Sequence, residues 1–553
     1  MRGPDPATLR LRALAGVTVV VVASGLAWAF MGSVPHPAAI DWLRAALVFV
    51  AGAWLAWGSA LALAGLAVRP APPPRGSVAG RTAVLILLCD EETGPALARI
   101  AAVRASLMAT DHAHLFEMVV LSDSGPQAGR AEAEGLARLV AEAPGPIPLM
   151  YRRRADRRGR KAGNIADFLR RSGGRYRYAA VLDADSLMEG ETLVEMVRRM
   201  EGAPELGLLQ SVPRVIGARS RFGRAMQFAS GFSGPLQAAG LAALQGRAGP
   251  YWGHNAIIRV APFAAHCGLA ELPGPAPFGG PVMSHDYVEA ALLVRAGWDV
   301  RIDPDLGGSF EEGPEDIVAH ARRDRRWCQG NMQHARLIPL EGLAFWSRVT
   351  FALNVATYAM APLWSLFLLA SLLRPLATGA APQTGTLAGS EGLIFAVIGL
   401  LVLPRVAALL HDLFRPGQRD RLRRAGAALG ELLFSALLAP ILLAWQLRAV
   451  LEVLTGRDGG WPAHPPAGEG LDLARAWEAS RWIATLGLAG FALTVAVALG
   501  SLYFVVPVFL PMVFAPLIVW WSSRPPRGVS SGPLPEVARR RDAFAGALSR
   551  GGA

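Results

Sequence analysis

Tyr178-Ala179-Ala180-Val181-Leu182-Asp183-Ala184-Asp185-Ser186 is the stretch that decides the fold of this chain. An apolar run stops abruptly at two aspartates one residue apart. Such a run fits a strand buried on both faces of a parallel sheet, and open α/β sheets bind ligands at the carboxyl ends of such strands. Strand alternation leans Asp183 and Asp185 the same way. Two carboxylates so placed repel, and a divalent cation shared with a diphosphate would relieve the repulsion. A plainer reading stands beside it: Asp-Ser ahead of Gly190-Glu191-Thr192-Leu193 also suits the start of a helix.

The same pattern repeats outward. Thr82 to Leu88 runs apolar into Cys89-Asp90-Glu91-Glu92, and Phe116 to Leu121 runs into Ser122-Asp123-Ser124. Helical patterns follow each, through Ala102 and over Ala128 to Ala143, and Ile147 to Tyr151 is a short strand. Strands alternating with helices predict a doubly wound, parallel α/β sheet. Glu91, Asp123, Asp183 and Asp185 then lie along one of its edges. A single carboxylate after a strand is ordinarily a cap or turn residue, but four in order along one edge look like a nucleotide site. Between these strands runs a basic segment from Arg152 to Asn164, which reads mainly as a solvated loop. Lys161-Ala162-Gly163-Asn164 differs from it: Gly163 permits close approach, Asn164 suits a cap of the following helix, and Lys161 is placed to face a phosphate.

The chain has 553 residues, 52% of them hydrophobic. Long apolar stretches at both ends make it a membrane protein enclosing a soluble domain. Ala15 to Met31 follows Arg2, Arg10 and Arg12. A signal peptide has that form too, but the second apolar stretch, Trp42 to Val68, favours an anchor hairpin. The net charge of +12 would suit a nucleic-acid binder, yet its placement argues against a nucleic-acid partner. The connector Gly32 to Asp41 has no Lys or Arg, whereas Arg69, Arg75 and Arg81 follow the second span, which puts the N-terminus and central domain in the cytoplasm. Residues 69–81, rich in proline, form a stiff linker. Cys89, Cys267 and Cys328 lack metal or redox spacing and read as reduced thiols.

Beyond the central domain, Val349 to Leu373 and Leu393 to Leu410 are apolar. The sparsely charged connector between them faces outward, and the arginines from Arg415 to Arg424 face inward. Leu432 to Leu454 is interrupted by Pro440, Gln446 and Arg448, and Ile483 to Val506 with Phe509 to Trp521 reads as one hairpin. Arginines after Trp521 place the tail in the cytoplasm. Equal-sided termini need an even number of crossings, whereas seven apolar segments are counted. Leu432 to Leu454 is therefore expected to be interfacial or re-entrant, with two short tilted spans as the alternative.

Further motifs give the pattern a family. Glu91, Asp123, Lys161-Ala162-Gly163-Asn164 and Asp183-x-Asp185 are followed by Gln210-Ser211-Val212-Pro213, Trp252-Gly253-His254-Asn255-Ala256, Ser284-His285-Asp286 and Arg326-Trp327. Over roughly residues 80 to 345 this order resembles the inverting family-2 glycosyltransferases. The longer strings Tyr251 to Arg259, Ser284 to Leu292 and Arg323 to Asn331 are similar to the branch that makes osmoregulated periplasmic glucans. The resemblance implies UDP-glucose as donor, a divalent metal (Mg2+ or Mn2+), and a β-1,2-glucan backbone grown at the bacterial inner membrane and exported to the periplasm. It implies Glu91 and Asp123 at the uridine and ribose, Lys161 and Asp183 along the diphosphate, and Asp185, with Asp183, at the metal. Gln210, His254 and Asn255 would line the acceptor cleft, Asp286 would be the base, and Arg326 and Trp327 would close the site. Acyl carrier protein and periplasmic glucan-processing proteins are implied partners, beside the growing glucan and the bilayer. Cellulose-type synthases carry an acidic residue where His285 stands and Gln where Arg323 stands, so the departures favour the periplasmic-glucan branch. Relatives often carry Asn in place of Asp90.

Chemistry alone leaves Asp286 open between a helix cap, where the dipole keeps it ionised, and a general base; the surrounding motif tips it to the base. Arg326 offers a planar fork for diphosphate oxygens and Trp327 a flat face for a sugar, although an amphipathic helix at the membrane surface would use both too. The expected organisation is a membrane hairpin over 1–68, the linker 69–81, a cytosolic domain over 82–345, and membrane and interfacial helices over 346–455. A candidate gating loop at 456–481, a membrane hairpin at 482–522 and a cytosolic tail at 523–553 complete it. Asn354, Tyr358, Trp364 and Gln446, inside the spans, are candidates to line a polymer channel.

Overall fold

The computed structural model describes residues 3–68, 73–379, 381, 391–414, 420–457, 470–526 and 535–550. Its soluble part is built on ten strands: β1 (Thr82–Leu88), β2 (Phe116–Ser122), β3 (Leu149–Arg153), β4 (Tyr178–Asp183), β5 (Ser186–Met188), β6 (Leu206–Gln210), β7 (Arg214–Ile216), β8 (Ala256–Arg259), β9 (Asp299–Ile302) and β10 (Ser309–Glu312). Seven form the main sheet in the order β3-β2-β1-β4-β8-β6-β9, and β5-β10-β7 form a small second sheet. The apolar runs explain the arrangement. Every residue of β1 and β2 is buried, because helices cover both faces of the sheet. One face packs Ile100, Leu107, Leu136, Leu193 and Met196, and the other packs Ile165, Phe168, Phe263 and Leu293. Each such side chain contributes about 1.5–3 kcal/mol on leaving water.

The sheet is mixed rather than wholly parallel. β8 runs antiparallel to both β4 and β6, while β1, β2, β3 and β4 are parallel. Register places Leu88 opposite Ser122 and Leu87 opposite Asp183, so the loops bearing Glu91, Asp123 and Asp183 open at one edge. The second aspartate departs from expectation: β4 ends at Asp183, and Asp185 sits in the turn before β5. Asp183 N–H donates to Ser186 Oγ at 3.0 Å and closes that turn. Turn geometry, not strand alternation, therefore places Asp185.

Among the described residues, six helices are long and apolar enough to cross a membrane: Pro6–Gly32, Ala39–Ala67, Phe345–Thr378, Gly392–Leu413, Arg421–Leu454 and Leu473–Val497. The soluble domain is inserted between the second and third. Leu432 to Leu454 is not a broken or re-entrant piece, because it continues a 34-residue helix in which Pro440 is accommodated. The break falls later, where Leu499–Val513 and Ala515–Ser522 meet at 60°. Pro516, in the first turn of the second piece, lacks the N–H and the space to continue a straight helix. The expected C-terminal hairpin is thus one candidate span, starting earlier at Leu473, followed by a bent pair. Residues 458–469 of the segment expected to gate the site, and residues 69–72 of the proline linker, lie outside the described residues.

Both ends of the chain touch the soluble domain. Arg12 donates to the carbonyls of Leu244 and Gln245 at 2.7 and 2.9 Å. The helix Ala39–Ala67 meets the helix Gly234–Gln245 backbone to backbone, and a Cβ on Gly65 would lie 2.1 Å from the Leu236 carbonyl oxygen. The tail helix Glu536–Arg550 buries Val537 and Ala538 in the domain's core.

Candidate active site

The edge above β1, β2 and β4 collects the carboxylates, each held differently. Asp90 adopts φ 63°, a region that short polar residues tolerate. Its carboxylate accepts from Gly125 N–H at 2.6 Å and Arg157 at 3.2 Å, while its own N–H donates to Ser124 Oγ at 2.8 Å. Asp90 thereby ties the loop after β1 to the loop after β2. Glu91 folds back to accept from Cys89 N–H. Burial, helped by Asp183 and Glu132, pushes its carboxyl up to about 7. The Cys89 thiol is pushed up to about 11 by burial and then by Glu91, which removes it as a nucleophile. All three cysteines are free thiols.

Asp123 is buried and occupied. Arg154 grips it as a fork, Nε to Oδ1 at 2.5 Å and Nη2 to Oδ2 at 2.8 Å, and Asn164 Nδ2 donates to Oδ1 at 2.9 Å. Asn164 is no helix cap: its helix starts at Arg160, after Gly159 at φ 68°, and its side chain also accepts from Arg152 at 2.9 Å. Arg153, Arg157 and Arg158 are exposed, as expected of a solvated loop, whereas Arg154 is part of the site's scaffold, because a buried carboxylate needs a paired cation.

Lys161 Nζ donates to Asp183 Oδ1. Burial opposes ionisation of Asp183, but Lys161, His254 and Arg323 outweigh it and bring the carboxyl down to about 2. Asp185 accepts no hydrogen bond among the described residues.

Opposite this group stands Ser284-His285-Asp286. Asp286 lies in the first turn of the helix His285–Arg295, one residue past the start, so it is not the cap. Burial raises its carboxyl above the ordinary value against His285, Lys161 and two backbone N–H groups. The helix-end effect expected to hold it ionised is outweighed. His285 Nδ1 lies 2.9 Å from Glu289 Oε2; burial disfavours the imidazolium, yet Glu289 raises its pKa. Gly253 joins the two groups. It has φ +83°, and a Cβ there would lie 3.4 Å from Asp286 Oδ2 and 3.5 Å from Lys161 Nζ.

The wall is less open than the motifs suggest. Gln210 is fully buried; it donates to the carbonyls of Ser211 and His254 at 2.8 and 3.0 Å and accepts from Trp252 N–H at 2.9 Å. Asn255, also fully buried and at φ 50°, donates to Ser309 Oγ and the Phe310 carbonyl at 2.9 and 3.1 Å. Both side-chain amides are engaged by protein groups, and Gln210 holds the backbone on both sides of His254. His254 Nε2 lies 3.6 Å from Glu311, which Arg323 approaches to 3.8 Å.

On the helix Ile317–Gln333, Arg323, Arg326 and Trp327 share one face at spacings of three and four. Burial, then Arg323, lowers the Arg326 pKa to about 10, while Asp183 and Asp185 pull it back up. Trp327 is 39% exposed, with the Arg323 guanidinium 4.7 Å above its ring.

The Glycosyl transferase family 2 model matches residues 86–266, and the Glycosyl transferase family group 2 model matches residues 178–410. The glucans biosynthesis glucosyltransferase H of Cereibacter sphaeroides is 46% identical over 541 residues, covering 94% of this chain and 91% of that protein. The chain belongs to the glucans biosynthesis glucosyltransferase family. A member from Caulobacter vibrioides is 41% identical over 430 residues, covering 74% of this chain and 65% of that protein. Among solved structures, a mannosyltransferase from Pyrobaculum calidifontis in complex with GDP-Man and Mn2+ aligns at 17% identity and TM-score 0.45, covering 67% of this chain and 99% of that one.

As a family-2 glycosyltransferase the protein is an enzyme that takes a sugar donor and a glycan acceptor, in a mixed α/β domain set among candidate membrane spans. The donor set fits a hard divalent ion. No cluster of three or more metal-type ligands occurs among the described residues, yet Asp185 keeps its carboxylate unengaged beside Arg326. Magnesium-like ions bind through one or two carboxylates plus substrate phosphates and water, so one open aspartate is compatible with such an ion. Two side chains of this glucosyltransferase site escape motif reading. Arg154 hides in a charge run, and Glu311 sits on a strand of four residues; the only signal for Glu311 is an acidic pair at a strand end.

Proposed function

We propose that this enzyme polymerises glucose from UDP-glucose into the β-1,2-linked backbone of osmoregulated periplasmic glucans, by single displacement with inversion. The observation that carries the reading is the convergence on Gly253, with the Asp286 carboxylate on one side and the ammonium of the Lys161–Asp183 pair on the other. Inverting transfer needs a base at the attacking hydroxyl and positive charge at the departing diphosphate. In this reading Asp286 takes the acceptor proton, and Lys161 and Arg326 face the diphosphate oxygens. Asp185 and Asp183 would hold the Mg2+ or Mn2+ ion, which when bound would neutralise charge on the leaving UDP. Glu91, with Asp123 positioned by Arg154, faces the nucleoside. His254 and Trp327 face the acceptor sugar, and Gln210 and Asn255 act indirectly by holding the His254 backbone.

The same reading puts the enzyme in the bacterial inner membrane with its catalytic domain in the cytoplasm, growing the glucan while exporting it. The contacts of Arg12 and of Val537 and Ala538 with the soluble domain support an even number of crossings, since both chain ends then lie on its side. Two cavities reach from the domain into the spans and support a glucan path. One, of about 170 Å³, is lined by Trp54, Trp57, Trp252, Tyr287, Trp346 and Asn354 among others. The other, of about 230 Å³, includes His320, Asp324, Trp445 and Gln446. Flat aromatic faces with a few hydrogen-bonding groups suit a sugar chain. Tyr358 serves differently from expectation and donates to Asp324 at 3.0 Å.

Membranes containing the enzyme, supplied with radiolabelled UDP-glucose and Mg2+, should make a chelator-sensitive glucan whose methylation analysis yields 1,2-linked glucose. Another linkage, or label confined to lipid, would move the enzyme to a different family-2 activity. Thiol reagents applied outside intact spheroplasts should fail to label a cysteine introduced at Pro535, and efficient labelling would overturn the orientation.

A further inference from the structure

The tail helix Glu536–Arg550 is separated from the last membrane segment in sequence, yet it docks on the face of the soluble domain behind the candidate site. Val537 and Ala538 are 1% and 0% exposed and pack in the cluster that contains Leu107, Leu187, Met188 and Phe310. Arg540 donates to the Ala105 carbonyl at 3.4 Å. One turn of helix in this position therefore has a buried apolar edge and a polar anchor, more than a solvated terminal segment needs.

The next residue reaches further. Arg541 Nη1 pairs with Glu312 Oε1, on the last residue of β10. The other oxygen of that carboxylate accepts from Arg99 Nη2 at 2.5 Å, and Arg99 Nη1 donates to the Ala184 carbonyl at 3.2 Å. Ala184 is the residue between Asp183 and Asp185. A second route runs through the small sheet: β10 pairs Glu311 with Ser186, and Ser186 Oγ takes the Asp183 N–H. Strand alternation then explains the division of labour along β10. Glu311 turns toward His254 and Arg323, and Glu312 turns away from them toward Arg99 and Arg541.

We propose that the C-terminal helix is a positioning element of the transferase site, with Arg541 acting through Glu312 and Arg99 on the Asp183-Ala184-Asp185 turn. The physical reason is the shared carboxylate. Arg99 and Arg541 are 15% and 13% exposed, whereas Glu312 is 31% exposed. With both guanidinium groups in place Glu312 has one orientation. Without Arg541 it is free to turn toward water, and Arg99 loses the anchor that aims its other nitrogen at Ala184. Asp183 is held by the ladder between β4 and β1, but Asp185 lies beyond it in the turn, so the spacing of the two aspartates depends on such outside bonds. The kinetic part of the proposal rests on the reading of that turn as the diphosphate and metal site; the mechanical part does not.

The test uses the full-length, detergent-purified enzyme with Arg541→Ala, Arg541→Lys, Arg99→Ala and the Arg541/Arg99 double alanine variant. Arg541→Ala should raise the UDP-glucose KM and weaken UDP binding in Mg2+ by about 3- to 10-fold, the scale of couplings within one network. Its melting temperature should stay near wild type, and Arg541→Lys should restore much of the loss. The double variant should be no worse than Arg99→Ala alone, because both act through one carboxylate. Hydrogen exchange should speed up at Ala184 to Met188 in Arg541→Ala while the strand Thr82–Leu88 stays protected. Unchanged exchange in that turn, or additive losses with a lowered melting temperature, would reduce the tail to a stabilising element and overturn the proposal. A wild-type enzyme inactive with UDP-glucose would sink the functional reading instead, and the exchange data would still decide the coupling.

Discussion

Lys161 donates directly to Asp183, so the cation and the first aspartate of the turn neutralise each other across the edge of the sheet. A donor diphosphate that approaches Lys161 must compete with that carboxylate. A metal ion on the aspartates would free the ammonium for the phosphate. On the proposed donor and metal reading, the pair would be a resting state that metal and donor together open.

Lys161→Ala tests this competition. Losing a charge-assisted hydrogen bond costs about 1.5–3 kcal/mol, so UDP affinity in Mg2+ should fall roughly 10- to 100-fold. Asp183 would retain His254 and Arg323 only, and its carboxyl should move back up toward the ordinary range. Isothermal titration with UDP reads the first effect. Unaltered affinity would place the diphosphate elsewhere.

Glu91 makes a pH prediction. Its folded pKa of about 7 lies above the ordinary 4.5, so folding favours the protonated form. The cost of ionising it grows from about pH 4.5 and is complete above about pH 7. If its ionised carboxylate accepts from the nucleoside, UDP-glucose KM should fall as pH rises through about 7. Glu91→Gln should flatten that dependence while leaving the kcat profile in place. A profile identical to wild type would separate Glu91 from the donor.

Asp286→Asn keeps the shape of a side chain in the first helical turn and removes its basicity. Glucan synthesis should drop about 10²–10⁴-fold while UDP binding survives. The two are measured on one purified preparation. Near-normal synthesis would make Asp286 a structural residue of the helix start.

Arg154→Ala should destabilise the domain by about 3 kcal/mol or more, because it leaves Asp123 buried with Asn164 as its remaining donor. Arg154→Lys should rescue this only in part, since an ammonium cannot reproduce the fork onto both oxygens. Thermal unfolding followed by tryptophan fluorescence distinguishes the two. Melting points equal to wild type would mean that the Arg154 fork on Asp123 contributes nothing to the fold.

Apolar runs and their endings determined much of this protein at the level of sequence. Seven consecutive buried residues in β1, and seven in β2, can only be a strand covered on both faces, and residues at the ends of parallel neighbours share an edge. That logic placed Glu91, Asp123 and Asp183 together, and long continuous apolar stretches made most of the candidate membrane helices legible too. Tertiary structure alone decided which polar groups are available. Gln210 and Asn255 look like ligand-binding residues in a motif, yet burial obliges their amides to satisfy nearby backbone. Arg154 looks solvated within its charge run until the buried Asp123 is seen to need it. The antiparallel course of β8, the continuity of Arg421–Leu454 through Pro440, and the link from Arg541 to Ala184 all join residues that no local pattern connects. Local sequence carries the burial period of an element; hydrogen-bond and charge partners come from elements far apart in the chain, and only their packing pairs them.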